Sequence, residues 1–214
     1  MQRRHFLKAS GASALLLATT SGCGGSDTEA LAPLHGHTRR LASAPGGGVI
    51  EWLPEANQVR AFNAAGVQQW AHLGRGQASN SLNVPAGVVF LAGRVYIADL
   101  GNSRIVVLDE RGRWQFEFGG HGATRGRFRF VKGIAAGPEG NLYCCDPGNH
   151  RVQMFDANGD WQGDLGGFGL EGFGLNGPGA LAFDSAGRPH VIDRGNRRVV
   201  VFSSAGQGVR AYGG

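Results

Sequence analysis

The chain has 214 residues, of which 38 are glycine and 17% are charged, and its formal net charge is +5. Average proteins contain about 7% glycine and about 25% charged residues. Glycine destabilises helix interiors by about 1 kcal/mol relative to alanine, so this composition argues against long helices. A hydrophobic fraction of 42% argues against disorder. We therefore expect a turn-rich, all-β fold.

Residues 1–23 have the organisation of an export signal: a basic start, a short apolar stretch and small residues before Cys23. The start resembles the twin-arginine translocation motif, carried by Arg3, Arg4, Phe6, Leu7 and Lys8. Removal of this segment leaves 18 basic and 16 acidic side chains, a net charge of +2. The charge of the mature chain therefore does not point to nucleic acid, and export excludes cellular RNA as a partner.

The residues Thr20-Ser21-Gly22 before Cys23 are similar to a bacterial lipobox. Lipidation of Cys23 would anchor the protein in the membrane of the bacterial cell envelope, on its periplasmic side, since two or more acyl chains give stable anchoring. Cleavage elsewhere by the ordinary signal peptidase is the alternative. Residues 24–36 are predicted to form a flexible tether.

From residue 37 onward the chain repeats. Three segments align without gaps, Val95–Glu110, Leu142–Ala157 and Pro189–Ser204, and a degenerate copy lies at Ile50–Val67. The three clear copies share the pattern D-x-G-N-x-R at a step of 47 residues. Its members are Asp99, Asn102, Arg104, Asp146, Asn149, Arg151, Asp193, Asn196 and Arg198. A constant step of this length indicates one supersecondary unit repeated in space.

Each unit contains four short apolar or alternating segments separated by Gly, Pro, Asn and Asp turns, which predicts a four-stranded antiparallel blade. The sequence thus predicts a β-propeller with blades at about 37–82, 83–129, 130–176 and 177–214. The stretch Gly148-Asn149-His150-Arg151-Val152 resembles the NHL repeat. That resemblance implies a propeller that presents one face to a protein or another ligand, usually with six blades. Four blades leave two alternatives: a four-bladed ring, or an open arc that another chain completes, for example as a homo-oligomer.

The repeated polar residues are expected to stabilise turns. An aspartate side chain can accept backbone N–H groups there, Gly101 and Asn102 suit positive φ, and the arginines can pair with nearby acids. We therefore assign no catalytic role to them. Cys144 and Cys145 are adjacent in a strand and point to opposite faces, which predicts two small buried side chains, with a strained vicinal disulfide as the alternative.

The histidines do not occupy equivalent repeat positions, and the predicted inner strands carry none, so we predict neither a metal site nor a cofactor. Propellers of similar architecture include lyases and lactonases that act on small molecules or peptides. We favour a binding module over such an enzyme.

The charges are distributed unevenly over the predicted loops. In an antiparallel meander, the inter-blade loop and the loop between the second and third strands emerge at the same end. The candidate binding face at this end comprises His121, Arg125, Arg127, Arg129, Lys132, Arg194 and Arg197. Arginine forks match carboxylate and phosphate geometry, so the sequence predicts an anionic or protein partner on this face. The alternative is a rim of solvated arginines.

Overall fold

The computed structural model describes residues 40–169 and 172–213. The predicted export signal, the tether and Cys23 lie outside these residues. The described chain forms sixteen strands in four antiparallel four-stranded sheets and contains no α-helix, which confirms the all-β prediction.

Each sheet is built from four strands that are consecutive in the chain. Sheet A comprises β1 (Arg40–Ser43), β2 (Val49–Leu53), β3 (Gln58–Phe62) and β4 (Gln68–Leu73). Sheet B comprises β5 (Pro85–Leu91), β6 (Arg94–Asp99), β7 (Arg104–Asp109) and β8 (Trp114–Gly119). Sheet C comprises β9 (Ile134–Ala136), β10 (Leu142–Asp146), β11 (Arg151–Phe155) and β12 (Trp161–Leu165). Sheet D comprises β13 (Pro178–Phe183), β14 (Pro189–Asp193), β15 (Arg198–Phe202) and β16 (Gly208–Gly213).

The repeat in the sequence is reproduced in the strand register. In every sheet the pairing of the third and fourth strands shifts at one equivalent position, between Ala61 and Phe62 in sheet A and between Val201 and Phe202 in sheet D. Sheets B and C have the shift at the same point of their repeats. A β-bulge locally increases the strand twist. The degenerate first repeat therefore folds like the other three, although it lacks their polar signature.

Three clusters of buried side chains join neighbouring sheets, because alternate residues of each strand face opposite neighbours. The cluster between A and B includes Ile50, Val59, Ile97 and Val106. The cluster between B and C includes Tyr96, Ile105, Phe128, Cys144 and Phe155. The cluster between C and D includes Cys145, Val152, Leu175, Val191 and Val200. The hydrophobic core of the described residues is thus a series of inter-sheet layers.

Glycines let the innermost strands approach closely. A Cβ atom added at Gly133 would lie 2.7 Å from Ala180 Cα, and one added at Gly87 would lie 2.9 Å from the Lys132 carbonyl oxygen. Neither glycine has a positive φ, so close packing rather than turn geometry requires them.

Cys144 and Cys145 are both free and fully buried. Cys144 packs between sheets B and C, and Cys145 packs between sheets C and D, which confirms that they face opposite sides. Burial raises the pKa of Cys145 to about 12 and raises that of Cys144 well above its usual value. Both thiols are therefore protonated and unreactive at neutral pH.

Candidate functional site: the loop end of the sheets

The loops between sheets and the turns between second and third strands lie together at one end of the sheets, which we call the loop end. Short 3-10 turns follow the second strands, at Leu100–Asn102, Pro147–Asn149 and Arg194–Asn196 in sheets B to D. In each case the asparagine side chain donates to a carbonyl of the preceding inter-sheet loop, for example Asn102 Nδ2 to the Gly76 oxygen at 2.8 Å. The sequence-predicted grouping of these loops is therefore present.

The aspartate of the repeat lies at the centre of a buried polar network. Asp99 Oδ1 accepts the backbone N–H of Asn83 at 2.6 Å, and its Oδ2 accepts Asn102 Nδ2 at 2.7 Å and Arg104 Nε at 3.0 Å. Burial raises the pKa of Asp99, and these hydrogen bonds act in the opposite direction. The carboxylate thus ties the end of β6 to the loop that enters sheet B.

The arginine of the repeat continues this network into the same loop. Arg104 donates through Nη2 to the carbonyl oxygens of Ala78 at 2.8 Å and Ser81 at 2.9 Å, and through Nη1 to Glu117 at 2.9 Å. Sheets C and D repeat the pattern with Asp146 and Arg151, and with Asp193 and Arg198. We call each Asp–Asn–Arg set a clamp. Its contacts hold backbone rather than an open substrate site.

The turn geometry differs from the sequence expectation in one respect. Gly101 and Asn102 are not in the positive-φ region; the residue that follows them is, with φ of 53° at Ser103, 57° at His150 and 51° at Arg197. The glycine is required because a Cβ there would lie 2.7 Å from the Asn83 carbonyl oxygen. The sequence indicated that a glycine is needed, but it could not reveal that a neighbouring loop fills the space.

Two residues of the predicted binding face are engaged in local structure. Arg127 Nη1 donates to the Gly119 carbonyl oxygen at 2.7 Å. The guanidinium of Arg125 lies 4.6 Å from the centroid of the Trp161 ring, which is cation–π geometry. Both side chains therefore contribute to the packing of the loop between sheets B and C.

The side chains of the other members of the predicted face form no hydrogen bond or ion pair with another described residue, although those of Arg129 and Arg194 pack against Gly148 and Gly179. His121, Arg129, Arg194 and Arg197 are exposed, and Lys132 is half-buried. Partial burial, and then the positive charges of Arg194 and Arg40, lower the pKa of Lys132. Lys132, Arg194 and Arg40 thus form a group of cations, which we call the inner cationic cluster. Arg40 was not part of the sequence prediction, because no repeat signature marks it.

Most of the described carboxylates at the loop end are already paired or buried, whereas Glu55, in the β2–β3 turn, is exposed and forms no ion pair with a described residue. Asp99, Asp146 and Asp193 are fully buried in the clamps. Glu117 pairs with Arg104 at 2.9 Å, and Asp164 pairs with Arg151 at 3.3 Å. The inner cationic cluster therefore lacks a described carboxylate partner within ion-pair distance, and its field extends into solvent.

The opposite end, which we call the turn end, uses aspartate differently. Asp109 and Asp184 each accept two backbone N–H groups of their own turn at 2.9 to 3.0 Å, and they pair with Arg113 and Arg188. The backbone N–H of Arg188 is the main cause that lowers the pKa of Asp184, and hydrogen bonds from His190 and the Arg188 side chain add to it. At the turn end these aspartates thus bond within their own turn, whereas the aspartates at the loop end connect separate segments of the chain.

A groove between sheets A and B was not anticipated from the sequence. It has a volume of about 320 Å³ and is lined mainly by apolar side chains, including Ile50, Trp70 and Phe90. Between sheets B and C the corresponding space is filled by Tyr96 and Arg94, which occupy the repeat positions of Ile50 and Gly48. The groove therefore follows from two smaller residues in the degenerate repeat.

Two further observations concern the described residues only. Within 40–169 and 172–213, no three His, Cys, Asp or Glu side chains lie close enough to hold a metal ion together. No helix in this part of the chain is long and apolar enough to cross a membrane.

Comparison with known proteins places the fold. No protein-family description and no curated protein matches the chain. A streptogramin B lyase structure matches with a TM-score of 0.65 at 13% identity over 81% of this chain and 53% of the lyase. Virginiamycin B lyase from Staphylococcus aureus, crystallised with quinupristin, matches with a TM-score of 0.65 at 14% identity over 85% of this chain and 57% of the lyase. Kuenenia stuttgartiensis hydrazine synthase matches with a TM-score of 0.62 at 14% identity, over 81% of this chain and 48% of that protein.

These similarities establish a propeller-like fold for the described residues. The chain spans about half the length of these structures, and the identities are too low to carry function. The resemblance to the NHL repeat stays a prediction from the sequence.

Proposed function

We propose that the protein is an exported, envelope-anchored binding module that holds an anionic segment of a partner at the loop end. The single observation that carries this proposal is the inner cationic cluster. The side chain of Arg194 lies against Gly179, and Gly133, the neighbour of Lys132, packs against the same glycine. Partial burial and the positive charges of Arg194 and Arg40 lower the pKa of Lys132. Like charges kept together without a bound anion destabilise one another, so a carboxylate or phosphate would be stabilised there.

The chemistry of the cluster favours a carboxylate-rich protein segment as the ligand. Arg194 and Arg40 offer planar donor forks for bidentate pairing, and Lys132 offers a compact charge. Exposed Phe130, next to Arg129 on the same surface, adds apolar contact area. Anionic lipid headgroups and envelope polysaccharide fragments carry the same charge. They lack the apolar side chains that Phe130 would contact in a protein segment.

Charge reversal tests this role. We expect Lys132→Glu/Arg194→Glu to weaken binding of a glutamate decapeptide at low salt by about tenfold or more, because each lost charge-assisted hydrogen bond contributes about 1.5–3 kcal/mol. Arg111→Glu/Arg113→Glu makes the same change in net charge at the turn end and should leave the affinity within about twofold, since screening limits its reach to about a Debye length. Fluorescence anisotropy of the labelled peptide measures both. Equal losses in the two variants would mean that net charge alone drives binding.

The anchoring part of the proposal rests on Arg3, Arg4 and Cys23. Cell fractionation checks it: an Arg3→Lys/Arg4→Lys variant should stay in the cytoplasm, and Cys23→Ala should be exported but released from the membrane. A membrane-bound Cys23→Ala protein would contradict lipid anchoring.

A second candidate function is a propeller lyase, favoured by the fold similarity to streptogramin B and virginiamycin B lyases. Incubation of the purified protein with quinupristin, followed by chromatographic separation and tandem mass spectrometry, separates the two candidates, because elimination opens a ring without changing its mass. Opening of the quinupristin ring would favour the enzyme.

A further inference from the structure

Sheets A and D each expose an apolar face whose residues occupy positions that are buried between the other sheets. Ile192 on sheet D is 47% exposed, whereas Cys145 and Ala98, its counterparts one and two repeats earlier, are fully buried. Leu41 on sheet A is 50% exposed, whereas its counterpart Val88 is 5% exposed. Residues that fill the layers between the other sheets are therefore in contact with solvent at both ends of the series.

The exposed face of sheet D matches the face of sheet B that packs on sheet C. Val199 and Val201 occupy the positions of Ile105 and Val107, which are buried between B and C. In sheet D, Val199 is half-buried and Val201 is 3% exposed. Tyr212, which is 47% exposed, occupies the position of Phe118, which packs against Phe155 of sheet C with ring centroids 4.9 Å apart. Sheet D thus presents the apolar half of one more inter-sheet layer.

Polar donors on sheet D also match those that complete the layer between B and C. Tyr96 Oη and Arg94 Nη1 both donate to the Ala157 carbonyl oxygen in the β11–β12 turn, at 2.7 and 2.9 Å. His190 and Arg188 occupy these two positions in sheet D, where both side chains also bond to Asp184. The β3–β4 turn of sheet A presents the equivalent carbonyl at Ala64.

The outward face of sheet A resembles the second half of such an inter-sheet layer, the half that would pack against sheet D. Leu41 and Phe62 lie at the positions of apolar residues in later sheets, and between them Arg60 pairs with Glu51 and lies over the Phe62 ring. The counterpart of Arg60 in sheet C is Gln153, which is fully buried and donates to the Arg127 carbonyl oxygen at 2.7 Å. An interface of this fold therefore accommodates a long polar side chain at this position.

We propose that sheet D of one protomer packs against sheet A of a second copy of the chain, so that two copies complete one ring of eight sheets. Such a contact is heterologous, because it joins two different surfaces of the chain. Heterologous contacts form a closed ring only when the rotations between successive copies add up to a full turn. Two copies bury both free faces and leave no unpaired apolar layer. This inference is independent of the anion-binding role, because its residues do not include the inner cationic cluster.

Complementation between two variants of the full chain tests the pairing. Ile192→Asp places a charge in the face on sheet D, and Leu41→Asp places one in the face on sheet A. Each variant alone should be a folded monomer. Burial of the charge should raise the dimer dissociation constant about a hundredfold or more. An equimolar mixture should form a heterodimer, because it retains one intact D–A contact. Trp114→Asp on sheet B, with a similarly exposed side chain, should stay dimeric.

Native mass spectrometry and light scattering read out the result, and circular dichroism verifies that each variant folds. A Leu41→Asp protein that stays dimeric would mean that two D faces pair with each other, which overturns the proposal. A wild-type chain that is monomeric at every concentration would overturn it as well, whether the four sheets close on themselves or another protein covers the faces. Because Leu41 and Ile192 lie one and two residues from Arg40 and Arg194, the neutral variants Leu41→Ser and Ile192→Ser separate this inference from the proposed function: they should lose the dimer and keep the peptide affinity.

Discussion

The two ends of the sheets use the same amino acid for opposite purposes. At the loop end, Asp146 is fully buried and holds the Arg129 amide, Asn149 and Arg151. At the turn end of the same sheet, Asp156 accepts only the backbone amides of Asn158 and Asp160 in its own turn. A buried aspartate with an arginine partner links distant segments, whereas an Asx turn organises five consecutive residues. The contacts that connect distant segments of each repeat are therefore concentrated at the loop end.

The largest expected effect is on stability at the loop end. Asp146→Ala should lower the free energy of unfolding by about 3–5 kcal/mol, because it removes the buried acceptor of Asn149 and of the Arg129 amide and leaves Asp164 as the only carboxylate partner of Arg151. Asp156→Ala, the matched control in the same sheet, should cost about 1 kcal/mol, as expected for an exposed turn. Urea unfolding measures both. Similar losses would show that the two ends do not differ as described.

A glycine at each end sharpens the contrast. Gly195→Ala should cost about 1–3 kcal/mol by overpacking, because its Cβ would lie 2.7 Å from the Asn176 carbonyl oxygen. Gly140→Ala in a turn should cost about 1 kcal/mol for a different reason, its φ of +81° in open space. Asparagine distinguishes the causes: Gly140→Asn should recover stability relative to alanine, whereas Gly195→Asn should be worse than alanine. Thermal unfolding of the four variants tests this, and equal behaviour of the two asparagine variants would contradict it.

The smallest effect is a difference in pH dependence. Hydrogen bonds at the turn end lower the pKa of Asp184 below that of an unfolded chain, about 3.9. The stability that Asp184 contributes relative to Asp184→Asn is therefore fully present above about pH 4, and it is lost as the pH falls through the lowered pKa.

Asp99 should show the opposite slope. Burial raises its pKa, so the stability of the wild type relative to Asp99→Asn should decrease as the pH rises above about 4 and level off beyond the raised pKa. Unfolding measured between about pH 2 and 7 compares the two differences. Slopes of the same sign would show that Asp99 and Asp184 do not titrate in opposite directions.

Much of this architecture could be predicted from the sequence, because it depends on period and alternation. The step from Asp99 to Asp146 and Asp193 predicted sheets B, C and D, and the alternation around Cys144 and Cys145 predicted that the two side chains face opposite sides. The degenerate first repeat is recognisable from its apolar alternation and its final glycine, since β-sheet packing needs that alternation more than it needs the clamp residues.

The remaining features depend on contacts between segments that no local pattern encodes. The amide bound by Asp99 belongs to Asn83, 16 residues earlier, and Gly101 is needed because the same residue approaches it. Arg40 joins Lys132 and Arg194 only when three sheets are assembled. The sequence therefore indicated which residue types matter at the loop end, but not which of its arginines are committed to structure and which face solvent.

The layered core also has a consequence for motion. Each of the three clusters joins only two adjacent sheets, so the folding free energy of one protomer is close to a sum of sheet terms and nearest-neighbour terms. Sheets B and C are held on both faces, whereas A and D of a single protomer are each held on one. Local opening should therefore begin at A and D and reach B and C last, so that amide exchange is slowest in the middle of the series.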